Sequence, residues 1–225
     1  MEKLRVIYSK SKEAIYLSHL DIMRVFEQSL ARANVLVEHS KGYNPRPELV
    51  FAHPLSVGIE STAEIVDIML VERLQTSYFI KEMNKALPSG LTVLSAEYVS
   101  ISEKNIMSRV YAATYLIRFI YDENIFLGKS KRQIDDIKKW YMDKMNEYLD
   151  KPYLLVLKKS KGRSERIDIK PQIIVNDFTL DGNLEVTVSA GSRSNLKPDY
   201  IMLGFNEFIE SDLKYNVKRT KILYN

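Results

Sequence analysis

The sequence predicts an α+β protein built from two elaborated ferredoxin-like (βαββαβ) units with antiparallel sheets. Three observations support this fold class. Short apolar or alternating runs of strand length recur along the chain, helical periodicity occurs in both halves, and a polar segment at 100–109 lacks any periodicity. We therefore place an N-terminal domain at 1–100 and a C-terminal domain at 110–225.

The first half begins with a strand at 4–8 and a helix that starts at Ser18. Ser18 and Asp21 have the spacing of a capping box, with Asp in place of the usual Glu. An apolar stripe at three- and four-residue steps predicts the buried face of this helix: Leu20, Met23, Phe26, Leu30 and Ala33. Asn34 ends the helix because asparagine tolerates a left-handed conformation.

A second helix in this half begins at Thr76 or Ser77 and ends before Pro88. The remaining strands of the half are predicted at residues 35–39, 64–70 and 91–99. The order is therefore β-α-β-β-α-β, with an extra segment between the second and third strands.

The second half follows the same succession with one extra hairpin or edge strand. Its strands are predicted at residues 113–121, 153–157, 166–169, 173–180, 184–189 and 217–224. One helix begins at Ser130, with Gln133 at the capping-box position, and another begins at Pro198, a favoured first helical residue. Asp181-Gly182 is a strong hairpin signal between two of the strands.

The segment 40–61 is the first candidate for a binding surface. A stretch of about twenty residues without regular structure is long for a compact domain, and such loops are more often functional. It presents hydrogen-bond donors, cations and an aromatic ring: Lys41, Tyr43, Asn44, Arg46 and His53. A nucleic-acid or phosphate surface uses such residues. The alternative is a proline-stiffened connection packed on the sheet.

The first helix supplies the second candidate. Arg24, Gln28 and Arg32 recur at four-residue steps and predict an exposed basic row. His19 lies in the first turn, where the positive helix end favours a neutral ring that acts as a base, a ligand or an RNA contact. The alternative is that His19 hydrogen-bonds a neighbouring loop and fixes the start of the helix. No spacing among the three histidines supports a metal site.

Two N-terminal segments, SHLDIMRVFEQSLARANV and GYNPRPELVFAHPLSVGIES, resemble the signature of the radical SAM-linked (radical SAM-associated) protein family. This is a bacterial family of unknown biochemical function whose members are encoded beside, or fused to, a radical SAM protein. The resemblance covers most of the chain and is looser at 167–171 and 196–202. The family often has His where this chain has Arg46, and Arg where it has Lys170 and Lys197. The resemblance implies a radical SAM protein as the partner.

Composition limits the chemistry of this chain. It has 225 residues, a net charge of +4 and no cysteine. It therefore has no disulfide, no thiol nucleophile and no thiolate ligand for an iron–sulfur cluster, so it is not itself a radical SAM enzyme. With no run of ~18 apolar residues and no apolar signal-peptide core, we expect a cytoplasmic protein without a membrane partner.

Cations concentrate in two further places. One cluster comprises Lys158, Lys159, Lys161, Arg163 and Arg166, and the other Lys214, Lys218, Arg219 and Lys221. Clustered cations with nearby tyrosines suit a phosphate backbone. The alternative is a solvated loop and a solvated strand face. Charged residues of the second half form either a phosphate site or a structural ion network. In both cases Asp168 and Lys170 pair with Arg193, Asp199 or Arg219.

These observations favour a non-catalytic accessory protein that supports RNA modification by binding structured RNA (tRNA or rRNA), a radical SAM enzyme, or both. We expect no cofactor, no metal and no DNA. The expected contacts are Ser18, His19, Asp21, Arg24, Arg32, Lys41, Tyr43, Asn44, Arg46, His53, Lys170, Arg193, Lys197 and Arg219. Two alternatives remain. One is a metal-independent endoribonuclease of the tandem ferredoxin-like type with His19 as the candidate catalytic residue, and the other is a protein–protein adaptor.

Overall fold

The protein mixes helices with mostly antiparallel strands, as seen in a computed structural model that describes residues 1–160 and 163–225. Two units divide the chain. The first comprises residues 1–112 together with 218–225, and the second comprises residues 113–217. None of the helices in the described ranges is long and apolar enough to span a membrane.

In the first unit the strand order is β4-β1-β3, and β3 also pairs with β2 and with the middle of the last strand of the chain, β10. The elements of this unit are β1 Glu2–Lys10, α1 His19–Arg32, β2 Leu49–Phe51, β3 Glu60–Leu70, α2 Thr76–Ala86, β4 Leu91–Val99 and the single turn α3 Ile106–Arg109. Strand β1 is antiparallel to both β3 and β4, and β2 is antiparallel to β3.

The core of the first unit lies between one face of this sheet and the helices α1 and α2. Leu4, Val6 and Tyr8 alternate along β1 and pack with Phe26 of α1 and Phe79 of α2. Alternate residues of a strand point to the same face of the sheet, so these three side chains of β1 face the helices together. Burial of these large apolar groups, at about 25 cal/mol per Å², is the main stabilising contribution.

The buried face of α1 differs from the predicted one in its first turn. Leu20 is 62% exposed, and Ile22 is buried in its place. Ile22 lies one helical turn before Phe26, so the two side chains project to the same side, whereas Leu20 projects away from them. The rest of the predicted stripe is correct: Phe26, Leu30 and Ala33 are buried and Met23 packs against the core.

The predicted strand at 35–39 is present only as two isolated bridges. Asn34 takes the expected left-handed conformation with φ +54°, and the N–H of Val35 then donates to the carbonyl of Leu30 at 3.0 Å. The segment then runs antiparallel to the end of β3, where Val37 bridges Leu70. The strand that pairs with the preceding residues of β3 is β2, which lies within the predicted loop.

In the second unit the strand order is β10-β5-β9-β8, with a separate hairpin of β6 and β7. The elements are β5 Val110–Ile120, α4 Lys131–Leu149, β6 Leu155–Ser160, β7 Arg163–Asp168, β8 Ile173–Phe178, β9 Leu184–Ser189, α5 Pro198–Phe208 and β10 Lys214–Tyr224. Strands β5 and β10 cross the division between the units, and β10 contributes residues 214–217 here.

The second unit departs from the sequence prediction at the basic segment 158–166. This segment was expected to be a loop, but most of it belongs to β6 and β7, which pair from Leu155↔Asp168 onward. Lys161 of the predicted basic cluster lies outside the described residues. The hairpin predicted at Asp181-Gly182 is confirmed between β8 and β9, where Gly182 has φ +74°.

Candidate functional site

An exposed hairpin-like loop carries most of the residues predicted in 40–61. The N–H of Glu48 donates to the carbonyl of Glu38, and the N–H of Ser40 donates to that of Arg46, each at 2.8 Å. These bonds bring 38–40 alongside 46–48, and the predicted irregular stretch therefore has paired sides. We call residues 40–47 the tip loop. Tyr43 at its apex is fully exposed.

The tip loop displays cations and an amide beside that tyrosine. The side chains of Lys41, Asn44 and Arg46 are all exposed. Pro45 and Pro47 fix their own φ angles and restrict the residue before each of them. The loop therefore holds an aromatic ring and two cations outward on a backbone with reduced conformational freedom, which lowers the entropy lost when a ligand binds.

The outer face of α1 is the second exposed basic surface. Arg24 lies in solvent at 3.8 Å from Asp21, an exposed pair that contributes little to stability. Arg32 has a structural role as well, because its Nη2 donates to the carbonyl of Ala86 at 2.9 Å and to Ser29 Oγ at 3.0 Å. It therefore ties the end of α1 to the end of α2.

Ser18 and Asp21 form the predicted capping box. The N–H of Asp21 donates to Ser18 Oγ at 3.3 Å, and the Ser18 N–H donates to Asp21 Oδ2 at 3.1 Å. The Ser18 hydroxyl also donates to Asp21 Oδ2 at 2.6 Å, and these bonds hold the pKa of Asp21 below its usual value. Both side chains are thus occupied in starting α1, as sequence spacing indicated.

His19 lies at the rim of a small buried polar cavity of the first unit. Its ring meets Phe51 edge to face, with centroids 5.4 Å apart. Burial lowers the pKa of His19, with a smaller opposing effect from the charge of Glu64. The cavity, of about 10 Å³, is lined by both His19 and His53. That volume accommodates about one water molecule.

Glu64, which lines the cavity, belongs to a buried ion pair. Arg219 from β10 is 0% exposed, and its Nε donates to Glu64 Oε1 at 2.8 Å. Its Nη2 donates to the same carboxylate and to the carbonyl of His53 at 2.8 Å. Arg219 was predicted as a ligand contact. Its burial directs the guanidinium to Glu64 and to the His53 backbone instead of the surface.

Three polar cavity residues were missed by the sequence prediction. Lys10 is buried at the end of β1 with Nζ donating to the carbonyl of Leu17 at 3.0 Å, and burial lowers its pKa. Tyr8 lies on the same strand, and burial raises its pKa well above the usual value. Glu64 was assigned only to a strand. A carboxylate in the apolar run EIVDIML signals a buried charge that needs a partner.

The predicted residues of the second unit do not form one site with these. Asp168 Oδ1 accepts the N–H of Leu154 at 2.8 Å and that of Lys170 at 3.0 Å, while Lys170 Nζ donates to the carbonyl of Leu149. Asp168 and Lys170 therefore fasten the β6–β7 hairpin to the end of α4. Arg193 and Lys197 are exposed, and Lys197 precedes α5.

Within the described ranges, no group of three or more His, Asp or Glu side chains is arranged to hold a metal ion.

Comparison with known proteins gives one family match and solved structures of low sequence identity. A family model described as "Uncharacterized protein conserved in bacteria (DUF2344)" matches residues 3–198. No curated protein matches. Among solved structures, a chain of a Cbf5-Nop10-Gar1 complex is 10% identical with a TM-score of 0.49, covering 97% of this chain and 48% of its own. This protein thus spans about half the length of that chain.

A second solved structure, of an unknown protein from Galdieria sulphuraria, is 11% identical with a TM-score of 0.29. It covers 97% of this chain and 98% of its own.

Proposed function

We propose that this protein, which belongs to the DUF2344 family of uncharacterized bacterial proteins, is a non-catalytic accessory protein that binds structured RNA such as tRNA or rRNA. The observation that carries the proposal is the fully exposed Tyr43 at the apex of the tip loop, beside the exposed Lys41 and Arg46. An exposed aromatic ring flanked by cations suits an unstacked base and its phosphates.

The outer face of α1 presents cations like those of the tip loop. Arg24 adds a cation with its guanidinium in solvent, and Arg32 adds one whose contacts with Ala86 and Ser29 restrict its motion. Cations of this kind bind phosphates through a salt-dependent term that is independent of sequence. Recognition of one particular RNA would then come from its shape and its unpaired bases.

We further propose that both units are ferredoxin-like. In each unit the core helices and strands follow the succession β-α-β-β-α-β, with the hairpin of β6 and β7 inserted in the second. The orders β4-β1-β3-β2 and β10-β5-β9-β8 have corresponding strands at corresponding positions, which supports a common arrangement in the two units.

The chemistry would belong to a partner, for which we propose a radical SAM protein. This step rests on the resemblance to the radical SAM-linked family. It agrees with a sequence that contains no cysteine, since this chain offers no thiolate to an iron–sulfur cluster. In this arrangement the present protein holds the RNA and the partner carries out the modification.

The test is filter binding of total cellular RNA at about 50 and 200 mM salt, concentrations over which phosphate contacts lose affinity steeply. The variants are Tyr43→Ala and Arg24→Ala/Arg46→Ala, with the exposed Arg132→Ala on α4 as a matched control. We expect salt-sensitive binding, weakened about tenfold by Tyr43→Ala because base stacking contributes ~1–3 kcal/mol. The double variant should lower the salt slope by about two.

Two outcomes oppose the proposal. If no RNA binds at either salt concentration, the proposal is overturned and the adaptor function is favoured. The adaptor function would then be tested by co-purification with the radical SAM protein after nuclease treatment. Equal losses in the tip-loop variants and in Arg132→Ala would show that binding does not depend on this surface.

The cavity that joins His19 and His53 favours an endoribonuclease as the second candidate. A neutral His19 is a suitable general base near pH 7, since burial lowers its pKa. The volume of about 10 Å³ admits no nucleotide, so a phosphodiester would reach only the rim. Prolonged incubation of RNA with the wild-type protein and with His19→Ala distinguishes RNA binding from RNA cleavage. RNA that stays intact with the wild-type protein rules out the endoribonuclease.

A further inference from the structure

The hairpin of β6 and β7 in the second unit has a strand edge without a neighbouring strand. Within residues 1–160 and 163–225, β6 pairs with β7 alone. The N–H of Ile169 donates to the carbonyl of Leu154 at 2.9 Å, which fixes the phase of this antiparallel ladder. Residues that face the partner strand alternate with residues that face away from it. The N–H and C=O groups of Leu155 and Leu157 therefore point outward, away from β7.

The same stretch of β6 exposes apolar side chains. Tyr153, Leu155 and Leu157 are 69%, 52% and 39% exposed, whereas Leu154 and Val156 between them are buried. Alternate residues of a strand share one face, so the three exposed side chains form a stripe along the hairpin. An apolar stripe beside outward-pointing backbone groups is typical of an edge that pairs with another chain.

Two other edge strands of the protein are interrupted, and β6 is not. The pairing skips Leu94 in β4 and Ile174 in β8, so each of these outer strands carries a bulge. Bulges, prolines and charged side chains are the usual means by which proteins block an edge. Strand β6 keeps an unbroken register along its whole length, contains no proline and has no charge before Lys158. Its edge is therefore suited to accept another strand.

A cleft of about 250 Å³ lies beside the stripe. The exposed Tyr153 and Leu155 line it, together with Phe208 at the end of α5. Lys151 Nζ lies 3.8 Å from the Phe208 ring centroid and adds a cation there. When a peptide is bound by strand addition, main-chain hydrogen bonds supply affinity and pockets for its side chains supply specificity. The cleft would receive one large apolar side chain of the added strand.

The charge of the hairpin selects the kind of strand. The sequence from 155 to 168 contains five basic and two acidic residues. Two copies of this hairpin would repel each other, because like charges placed side by side are unfavourable, whereas an acidic segment would be attracted. The aliphatic stripe and the outward-pointing backbone groups suit a polypeptide, since a nucleic acid has no strand that could join the ladder.

We propose that the outer edge of β6 binds an extended, acidic segment of a partner protein. The segment adds as a third strand of the hairpin through the backbone groups of Leu155 and Leu157. It inserts one large apolar side chain into the cleft, and its carboxylates lie near Lys151 and Lys158. The inference goes beyond the proposed RNA binding and does not depend on it, because these residues lie in the second unit, apart from the tip loop and α1.

The test is fluorescence anisotropy of the full chain with a labelled probe peptide in which glutamate alternates with valine around a central phenylalanine. We expect saturable binding. The same peptide with N-methyl groups at alternate residues keeps its side chains but cannot complete the ladder, and it should bind at least about tenfold more weakly. A peptide with lysine in place of glutamate should also bind more weakly, because it meets the basic hairpin with like charge.

A pair of leucine variants locates the binding surface. Leu155→Ser should weaken probe binding about fivefold, since part of the apolar contact is lost. Leu180→Ser, in the turn between β8 and β9, is the matched control and should bind the probe as wild type does. Both leucines are exposed, so both variants should keep the wild-type melting temperature.

Four results would overturn the inference: no saturable binding of the probe, equal binding of its N-methylated form, equal effects of the two leucine variants, or tighter binding of the lysine peptide. A dimer in sedimentation equilibrium that Leu155→Ser dissociates would show that a second copy occupies the edge instead. RNA binding that Lys158→Ala weakens, without any probe binding, would assign the hairpin to RNA. Probe binding that persists when no RNA binds at either salt concentration would leave this inference standing and overturn only the proposed function.

Discussion

Replacing Arg219 by methionine should destabilise the first unit strongly. The guanidinium is 0% exposed and Glu64 is 4% exposed, so the substitution leaves a carboxylate buried without its hydrogen-bonded cation. It also removes the donor to the His53 carbonyl. Breaking a buried pair by removing one partner typically costs 3–5 kcal/mol. Lys10 remains nearby, but its Nζ already donates to Leu17, so we expect about 3 kcal/mol.

The assay is urea unfolding of a double-mutant cycle that combines Arg219→Met with Glu64→Leu. Replacing both ions by apolar groups removes the stranded charge, so the double variant should lie within about 1 kcal/mol of wild type. Lys85→Met, which breaks an exposed pair with Glu82 at 2.8 Å, is the control and should cost less than about 0.5 kcal/mol. A loss below about 1 kcal/mol for Arg219→Met, or purely additive effects, would refute this reasoning.

Three further predictions concern the first unit. Ser18→Ala should lower the free energy of unfolding by about 1 kcal/mol in urea denaturation, because α1 loses its N-cap acceptor, and an unchanged midpoint would contradict this. NMR titration should place the pKa of His19 below about 6.5 because burial disfavours the charged ring. The folded protein then binds fewer protons than the unfolded chain and loses stability as pH falls below about 6.5, whereas a ring pKa of 6.5 or above would exclude that cause. Gly90→Ala should lower the free energy of unfolding by at least about 2 kcal/mol, since at φ +88° its Cβ would lie 2.3 Å from the Ser11 carbonyl oxygen. Gly58→Ala, at φ +87° with open space around it, should lower it less. Equal losses would assign the effect to backbone strain alone.

Local patterns predicted the helices well. The capping boxes at Ser18 and Ser130 start α1 and α4, and both bonds of each box are present. Pro198 lies at the start of α5, as its position predicted. These signals are reliable because each depends on bonds or steric limits within one or two turns of chain.

Pairing partners could not be predicted in this way. The segment after α1 has apolar residues of strand type, yet it meets β3 in a single bridge at Val37, and the preceding residues of β3 pair with β2 at 49–51. A strand is stabilised only when its backbone groups meet those of a neighbour, and that neighbour is distant in sequence. The same limitation hid the pairing of β6 with β7 across the basic segment.

The candidate sites show the same difference between local and long-range contacts. Exposed residues of the tip loop, including Tyr43 and Arg46, were identified from residue type and proline spacing alone. The cavity at His19 and His53 was not, because it also depends on Lys10 and Glu64, which come from different strands. Glu64 itself was predicted only as part of a strand.

The amino-acid sequence by itself determined the mixed α+β class, the starts of the capped helices and the exposed tip-loop chemistry, since these follow from short-range sterics, hydrogen bonds and solvation. Only the tertiary structure decided that Arg219, 155 residues beyond Glu64, returns to the first unit as its buried partner. It also decided that Tyr148 has a buried, unpartnered hydroxyl within the described part of the chain. Both depend on which distant groups exclude water together, and no local pattern encodes that.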